Sequence, residues 1–459
     1  MRLLDRLYFD KRTLRELVGI AIPMMVSQGA FAVMIFTDRY FMSQIDPVHM
    51  AASLGGGVAM FFSICFFTGL LSYANALAAQ YLGAGDRHKA PRVLTQGLFL
   101  VLLSQPCLFV IGWVVIKLFA GMGHDPRQVE LERIYYLILM AGSAITLAKI
   151  CISSYFAGIG RARVVMVCDV LGMALNVPLC YAMVFGRFGL PALGISGAAV
   201  STLVATLFSV LLFLMFYLRK GHREEFAVLA SFHFDRAIFR RFLRLGTPSG
   251  VELFLNVAAF NLFLLMFQSY GIIQGASVAI VFNWDMLSFV PMMGLNIGVI
   301  SLIGRFVGAN DMKRANAVIS AGFLLGLSYS AMLATLFIVF RYSLVDIFAP
   351  PEGDFEEIRS LAAFMMLGLA TYAMADAIVL VSGGVLRGAG DTRWLMIASV
   401  SLHWAMLVAQ YLIIHVYRIG PKASWLAFVA MLLSIAVVYL LRLKSGRWRD
   451  PEALRLVMA

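Results

Sequence analysis

Long apolar segments alternate with short polar loops along the whole chain. Twelve of these segments exceed the ~20 residues that an α-helix needs to cross a bilayer. The pattern therefore predicts an all-α integral membrane protein with twelve transmembrane helices. We place the predicted spans at 16–41, 51–80, 93–118, 133–157, 163–186, 193–218, 243–269, 276–304, 315–340, 358–386, 394–415 and 421–442.

The composition agrees with this pattern, since 61% of the 459 residues are hydrophobic and 14% are charged. Soluble domains average about 45–50% apolar and about 25% charged residues. A soluble helical protein with an unusually apolar core is the alternative, but it would need shorter apolar segments and charged helix faces. Residues 1–15 are basic and lack the apolar core and cleavage site of a signal peptide, so we expect the first helix to be retained. The five cysteines lie in apolar segments without CxxC spacing, which predicts buried free thiols rather than a metal site.

The distribution of basic residues predicts the orientation in the membrane. If the N-terminus is cytoplasmic, most of the 37 lysines and arginines fall in inner segments, above all in 219–244. This positive-inside bias predicts a multi-pass protein of the cell inner (plasma) membrane with both termini in the cytoplasm. It also explains the net charge of +12 without a nucleic-acid partner.

Parts of the two halves of the chain resemble each other at a nearly constant offset. AQYLGAGDRHKA at 79–90 matches GRFVGANDMKRA at 304–315, and FAGIGRAR at 156–163 matches LRGAGDTR at 386–393. Apolar composition alone does not produce matching loop glycines. The matches therefore predict an internal duplication.

The lead-in to the first helix, 10–23, returns at 235–248 with the same spacing from aspartate to proline. We therefore predict an N-terminal six-helix lobe at 1–218, a cytoplasmic linker at 219–234 and a C-terminal six-helix lobe with a short basic tail at 235–459. Because six is an even number, both lobes enter the membrane from the same side and should be parallel repeats. Two such pseudo-symmetric bundles predict a central cleft, where alternating-access transporters bind their substrates.

Motifs for ATP binding and hydrolytic catalysis do not occur in the chain. There is no GxxxxGK[ST] phosphate loop, no HExxH and no GxSxG. We therefore predict a secondary transporter, not an enzyme, with no cofactor beyond a coupling ion, H+ or Na+. A membrane-embedded enzyme would need a tight catalytic cluster, and a channel fits a two-lobe repeat less well.

Ionisable residues at membrane depth are energetically costly and therefore predict functional sites. Asp376 lies 11 residues before Arg387, which places it about 16 Å along a helix. Glu252 and Asn256 fall in the same layer and share a helix face, as do Tyr372 and Asp376, because both pairs are spaced i, i+4. Together they predict a site for a cation or a proton, with Asp376, Tyr372 and Glu252 as candidate Na+ ligands.

A second group of polar residues lies in the spans of the first half. Asn176 and Lys149 fall near mid-membrane, Asp169 is shallower, and Asp38 lies near the outer boundary. Two interpretations of Asp38 stay open, an ion-coupling carboxylate and an interfacial residue in water beside Arg39. Arg39 cannot neutralise Asp38 across one helix face, because consecutive side chains diverge around a helix. Lys149 is interpreted as a counter-ion of Asp38 or Asp169, or as a charge that mimics a bound cation.

Four polar residues are candidates for the wall of the substrate cleft: Lys149, Asp169, Asn283 and Asp285. Asp285 is interpreted as a substrate carboxylate, as a partner of a base in the second half, or as a residue of a wetted cavity. Any of the 26 methionines and 36 phenylalanines that line the cleft would give it an adaptable surface for varied ligands.

Five motifs follow one another in a characteristic order: IAIP ahead of Asp38, AQYLGAGD, NVPLCYAMVFG followed by PALGISGAAVSTLV, LRLGTPSGVELFLNV, and DAIVLVSGGVLRGAGDTR. In this order and spacing the chain resembles the multidrug and toxic compound extrusion (MATE) family over nearly its whole length, and more closely the NorM-like subgroup. The resemblance implies an antiporter that exports organic cations and amphipathic drugs in exchange for H+ or Na+ by alternating access. Such export contributes to drug resistance.

The resemblance also implies roles for individual residues. Asp38 matches the first-helix acid that couples to protons or sodium, and Asn176 matches the fifth-helix asparagine of the same site. Thr202 is a neighbour of that site from the sixth helix. Asp376, with Tyr372 one turn earlier, matches the tenth-helix cation site of the NorM-like subgroup.

Two positions depart from the family pattern. The NorM-like subgroup has a seventh-helix glutamate where this chain has Asn256, and we expect Glu252, one turn away, to substitute for it. The other branch has a fifth-helix aspartate four residues after the asparagine, where this chain has Cys180. The resemblance therefore leaves the coupling ion open between H+ and Na+.

A lipid-linked oligosaccharide flippase of related fold is the alternative function. A flippase for an anionic pyrophosphate lipid would need a cationic cleft with several basic residues. Apart from the first and last two residues of each span, the predicted spans hold only Arg39 and Lys149 as basic residues, against five acids: Asp38, Asp169, Glu252, Asp285 and Asp376. The balance favours a cationic cargo. We expect a monomer that binds a small organic cation, is surrounded by membrane lipid and binds no nucleic acid.

Overall fold

The computed structural model describes residues 10–119, 121, 125–349 and 355–449. Within these ranges the chain forms α-helices joined by short loops, and no β-strand occurs there. The helices are α1 Lys11–Ser43, α2 Pro47–Ser72, α3 Ala74–Gly83, α4 Ala90–Phe119, α5 Pro126–Ala141, α6 Ser143–Gly158, α7 Ala162–Phe185, α8 Ile195–Leu218, α9 Lys220–Glu225, α10 Arg236–Gln268, α11 Ile272–Gly308, α12 Met312–Val339, α13 Arg341–Asp346, α14 Glu356–Ala389, α15 Thr392–Tyr411 and α16 Pro421–Ser445.

The helices confirm the predicted membrane architecture. In the described ranges, 11 helical segments are long and apolar enough to cross a membrane, and α2 and α3 together form one of them. The number rises to 12 when α5 and α6 are taken as one bent span. The all-α fold with twelve spans is therefore confirmed.

The bend between α5 and α6 lies at Gly142, inside the span predicted at 133–157. The two helices meet at 52°. A Cβ atom at Gly142 would lie 2.1 Å from Leu203 Cδ2 on α8. Glycine at the bend therefore leaves room for the Leu203 side chain of α8, and hydropathy alone does not reveal such a contact.

Packing divides the chain into two compact units. We call Val26–Phe254 the N-terminal unit, and Met1–Met25 together with Leu255–Ala459 the C-terminal unit. The boundaries fall inside α1 and α10, shortly after the helix prolines Pro23 and Pro248. The boundaries of the compact units therefore differ from those of the predicted lobes. The lobes describe the duplicated segments of the chain and remain a prediction.

Equivalent glycines make equivalent helix crossings in the two units. In the N-terminal unit, a Cβ on Gly158 of α6 would lie 2.3 Å from the Asn75 carbonyl oxygen of α3. In the C-terminal unit, a Cβ on Gly388 of α14 would lie 2.8 Å from the Ile300 carbonyl oxygen of α11. Gly158 and Gly388 occupy the same position in the matching segments 156–163 and 386–393. The shared crossing supports the predicted duplication.

A second pair of crossings shows how the first helices of the two repeats are exchanged. In the N-terminal unit, a Cβ on Gly69 of α2 would lie 2.9 Å from the Cα of Gly250 on α10. In the C-terminal unit, a Cβ on Gly294 of α11 would lie 2.5 Å from the amide nitrogen of Met25 on α1. The second long helix of each repeat therefore packs on the first helix of the other repeat.

We expect Gly158→Ala to lower the thermal stability of the purified protein. The added methyl group would meet a backbone oxygen, which cannot rotate away as a side chain can. Overpacking of this kind costs roughly 1–3 kcal/mol. The measurement is the midpoint of thermal unfolding in detergent. Gly29→Ala is the matched helical control, because nothing lies within 4 Å of its Cβ position. Equal midpoints for the two variants would contradict the close crossing.

The segment between α8 and α10 is held to the N-terminal unit by His222 of α9. The imidazole is buried among the rings of Tyr155, Phe156, Tyr217 and Phe226, and its Nε2 lies 3.1 Å from the Tyr155 hydroxyl. Loss of solvation on burial lowers the pKa of His222 to about 4. The anchored histidine is therefore neutral at physiological pH.

We expect this anchor to weaken as the pH falls from about 6.5 toward 4. The folded pKa lies below the value of an exposed histidine, so the detached segment binds a proton that the docked segment does not. Docking is fully stable above about pH 6.5 and loses stability below it. Limited proteolysis of 219–234 across this range measures the effect, and His222→Gln should flatten the profile. His233→Gln, at an exposed position, should retain it. A pH-independent rate in the unsubstituted protein would contradict the anchor.

Candidate functional site

Asp38 of α1 is the centre of a hydrogen-bonded chain in the N-terminal unit. Its side chain is buried, with 6% exposed, whereas Arg39 is exposed. Thr202 Oγ1 on α8 donates to Asp38 Oδ2 at 2.7 Å, and Asn176 Nδ2 on α7 donates to Thr202 Oγ1 at 3.4 Å. The structure thus brings together three residues that the sequence predicted as one site. The burial does not support the interfacial interpretation of Asp38.

The Cys180 thiol is a further neighbour of the Asp38 carboxylate, and the Tyr135 phenol group interacts with it electrostatically. Both belong to a buried cluster with Met42 and Ile195, which provides an apolar boundary on that side. Among the described residues, Asp38 Oδ1 accepts no regular hydrogen bond. A carboxylate with one strong donor in apolar surroundings needs a proton or a cation as its partner.

Tyr135 is a neighbour that the sequence analysis missed. It lies on α5, far from Asp38 along the chain, and nothing in its local sequence distinguishes it from a packing aromatic residue. Cys180 was noted only as a departure from the family pattern. Its position next to Asp38 puts a weak donor where the other branch of the family has a second acid.

Lys149 of α6 pairs with Asp169 of α7. The lysine Nζ lies 2.9 Å from Asp169 Oδ1, and the Ser27 hydroxyl of α1 donates to Asp169 Oδ2. The sequence left the partner of Lys149 open between Asp38 and Asp169. The ion pair shows that this partner is Asp169.

Glu132 is a buried carboxylate that the sequence analysis did not single out. It lies on α5 and is fully buried, and Gln128 Nε2 donates to its Oε1 at 2.8 Å. Gly55 of α2 makes room for it, since a Cβ there would lie 2.5 Å from the same oxygen. The predicted span began at residue 133, so Glu132 counted as a loop residue. The glycine run at 55–57 was the available signal.

In the C-terminal unit, α11 and α14 bring Asp285 close to Asp376 and Tyr372. The two carboxyl groups are near enough to interact electrostatically. The Tyr372 hydroxyl lies near Asp285 without forming a regular hydrogen bond. The Tyr372 ring is fixed by Trp425 and Phe428, with centroid separations of 6.1 and 5.8 Å. Two acids and a phenol therefore form the polar group of this unit.

The predicted set of Asp376, Tyr372 and Glu252 does not lie within one unit. Glu252 is buried in the first part of α10, which belongs to the N-terminal unit, whereas Asp376 and Tyr372 belong to the C-terminal unit. Within the C-terminal unit, the carboxylate beside Asp376 is Asp285, which was predicted only as a cleft residue. The Na+ site with Glu252 remains a prediction.

Two predicted asparagines make contacts of different kinds. Asn256 Nδ2 on α10 donates to Ser399 Oγ on α15 at 2.7 Å, which joins two helices of the C-terminal unit. Asn283 is exposed, and its Nδ2 donates to the Ala279 carbonyl of its own helix at 2.8 Å. Asn256 is therefore tied to a helix partner, and the hydrogen bond of Asn283 is local.

Comparison with known proteins places this arrangement in a family. The MatE family model matches residues 23–182 and 248–412. These two matched segments cover both repeats and more than half of the chain.

Solved structures share the fold at low sequence identity. One is a MOP superfamily transporter from Pyrococcus furiosus Vc1 (DSM3638), whose binding pocket of reverse polarity is said to suggest a different function. It superposes with a TM-score of 0.86 at 20% identity, and the match covers 96% of this chain and 100% of that one. A MATE in complex with MaL6 superposes with a TM-score of 0.86 at 20% identity, covering 99% of each chain. An outward-facing multidrug resistance MATE transporter of the MOP superfamily reaches 0.85 at 21% identity, covering 96% of this chain and 100% of its own.

The family match has direct consequences for function. Members of the family are multi-pass membrane transporters of small molecules rather than enzymes. The buried acids described above thus lie in a transporter. By the extent of the match over both repeats, the chain belongs to the MATE (MatE) family.

Proposed function

We propose that this transporter is a secondary active antiporter that exports organic cations and amphipathic drugs in exchange for H+ or Na+ by alternating access. The observation that carries the proposal is a carboxylate group within the membrane-spanning helices of each compact unit. Asp38 serves in the N-terminal unit, and Asp376 with Asp285 serves in the C-terminal unit. The similar fold of a multidrug resistance MATE transporter supports drug-like cargo.

The charges inside the spans favour a cationic cargo over the anionic lipid of a flippase. Lys149 is already paired with Asp169, so its charge is compensated within the protein. Asp38 has one regular donor among the described residues, the Thr202 hydroxyl, and two acids of the C-terminal unit, Asp285 and Asp376, interact electrostatically. Acids grouped in this way attract protons or cations, because like charges that are close together in apolar surroundings cannot all stay ionised.

Coupling follows from the two protonation or ligation states of such an acid. A carboxylate that binds H+ or Na+ is neutral and tolerates an apolar environment, whereas the free carboxylate requires another cation. An exported cation and an imported ion would therefore compete for the same acid. A membrane potential supplies about 2.3 kcal/mol per charge and 100 mV, which suffices for modest uphill export.

The basic loops support an inner (plasma) membrane location with cytoplasmic N- and C-termini. In that orientation the segment containing His222, between α8 and α10, is cytoplasmic. We further propose that the transporter acts as a monomer in lipid. For Na+ coupling, Asp376 and Tyr372 are the proposed ligands, with Glu252 or the adjacent Asp285 as the second carboxylate.

The test is ethidium efflux in inverted membrane vesicles that contain the protein, with pH and sodium gradients imposed separately. We expect one of the two gradients to drive ethidium accumulation, and the effective gradient identifies the coupling ion. Vesicles without the protein and vesicles with the gradient collapsed are the controls. Accumulation that neither gradient supports would overturn the antiport proposal. Stimulated movement of a lipid-linked pyrophosphate oligosaccharide instead would favour the flippase.

A further inference from the structure

We propose that Lys149 and Asp169 form a second cation–proton exchange site, in which a monovalent cation of about ammonium size replaces the lysine ammonium on Asp169. The inference rests on the proposed antiport, since exchange of a cation for a proton is the chemistry of that function. It assigns this exchange to a site separate from Asp38 and from Asp376. In the absence of a ligand, the lysine side chain is the resident cation.

The geometry of the pair provides the acceptor. Asp169 Oδ1 lies 2.9 Å from Lys149 Nζ, and Asp169 Oδ2 accepts a hydrogen bond from Ser27. Ser27 therefore keeps the carboxylate in place when the lysine moves. The side chains are 19% and 10% exposed, respectively, so both remain reachable from a neighbouring space.

A small cavity lies next to the pair. Its volume is about 10 Å³, which holds about one water molecule or a cation of similar size. Lys149 and Asp169 form its charged side, and Thr206 and Ser209 add hydroxyl groups from α8. This size fits Na+ or the ammonium head of an amine and excludes a ring system such as ethidium.

The surroundings contain few other groups that titrate. The Cys168 thiol on α7 interacts electrostatically with Asp169 and Lys149. The described residues that α1 and α8 contribute to the cavity wall do not titrate: Ala30, Phe31, Met34, Ala205, Thr206 and Ser209. The exchange of charge therefore involves the lysine, the aspartate and the incoming cation.

The exchange balances in charge and in protons. An incoming cation binds Asp169 and displaces the lysine ammonium, which would then be an unpaired charge in apolar surroundings. Such a lysine releases its proton to solvent and becomes a neutral amine, which is energetically cheaper than a buried unpaired charge. One cation enters as one proton leaves, so the net charge of the site does not change.

Arginine separates this role from a purely structural ion pair. It preserves a positive charge and hydrogen bonds to a carboxylate, but it does not release its proton in proteins. If the pair only holds α6 to α7, Lys149→Arg should be tolerated. If the pair exchanges ions, Lys149→Arg should retain the fold and lose the exchange.

The experiment measures protons released by the purified full-length protein in weakly buffered detergent, with a pH-indicator dye. NaCl and methylammonium chloride are added in separate arms, and N-methyl-D-glucamine chloride controls for ionic strength. We expect the protein to release protons when one or both of the small cations are added. The Lys149→Arg variant should release about one proton per protein fewer than the unsubstituted protein. The arm that responds identifies the source of the cation as sodium or an amine head group. Lys117→Arg, at an outer helix end, should behave like the unsubstituted protein.

Proton release by Lys149→Arg equal to that of the unsubstituted protein would overturn the inference, as would equal release by the bulky control salt. Should Lys149→Arg not fold, Asp169→Asn provides the same test. The amide keeps the size of the side chain but cannot hold the cation, so the release should again fall by about one proton. Undiminished release in Asp169→Asn would likewise overturn the inference.

The two proposals can fail separately. Gradient-driven efflux in vesicles tests the antiport function and needs no assumption about Lys149. Cation-induced proton release in detergent tests the site and needs no gradient. Release that depends on Lys149, without gradient-driven efflux, would retain the site and refute the antiport.

Discussion

Replacing Asp376 with asparagine is expected to abolish gradient-driven ethidium efflux while the protein still folds. Asp376 lies on α14 beside Asp285 of α11, and the two carboxyl groups interact electrostatically. Asparagine retains the shape but cannot carry the charge that binds H+ or Na+. We expect efflux in inverted vesicles to fall at least about tenfold, a loss of about 1.4 kcal/mol or more of coupling.

Two matched substitutions make the Asp376 result interpretable. Asp86→Asn changes a partly exposed aspartate in the loop after α3, where it pairs only with the neighbouring Lys89 of the same loop among the described residues, and should leave efflux unchanged. Asp285→Asn removes the other acid of the pair and should impair coupling as well. If the two acids act together, efflux by the double variant should be no slower than efflux by Asp376→Asn alone. Efflux by Asp376→Asn at the rate of the unsubstituted protein would remove this acid from the coupling site.

Asp38→Asn is expected to produce the second large loss of transport. The carboxylate is buried and has Thr202 as its one regular hydrogen-bond donor among the described residues. A neutral amide in this place would need no proton or cation, so the N-terminal unit would lose its ion-dependent state. We expect the initial efflux rate to fall at least about fivefold, or about 1 kcal/mol.

Thr202→Val extends the test to the hydrogen-bonded chain. It removes the hydroxyl that donates to Asp38 and accepts from Asn176, at nearly constant side-chain volume. We expect a smaller loss than for Asp38→Asn, because the acid itself remains. Thr371→Val, at an exposed helix position, is the control for the same chemical change. Normal efflux by Asp38→Asn would return Asp38 to the class of structural residues.

The predictions that held from sequence are those that depend on local patterns. Hydropathy determined the helical spans, because each span must satisfy its backbone hydrogen bonds within itself. Family motifs grouped Asp38, Asn176 and Thr202, and the structure joins them by hydrogen bonds. Gly158 and Gly388 occupy matching positions of the internal repeat and make similar close crossings in the structure.

Other features required the packing of helices that are distant along the chain. Asp285 was predicted only as a cleft residue, but within the C-terminal unit its carboxyl group on α11 is close enough to that of Asp376 on α14 to interact electrostatically. The spacing rules that paired Tyr372 with Asp376 work along one helix and say nothing about which faces of two helices meet. Glu132 was missed for a related reason, because its burial depends on a glycine of α2.

The sequence by itself determined an all-α membrane protein with twelve spans, an internal repeat and acids within the spans, because hydropathy and helix periodicity are properties of the local chain. Only the tertiary structure decided that Lys149 pairs with Asp169, and that the compact units divide inside α1 and α10. These outcomes depend on the register and crossing of neighbouring helices, which many residues determine jointly through their packing.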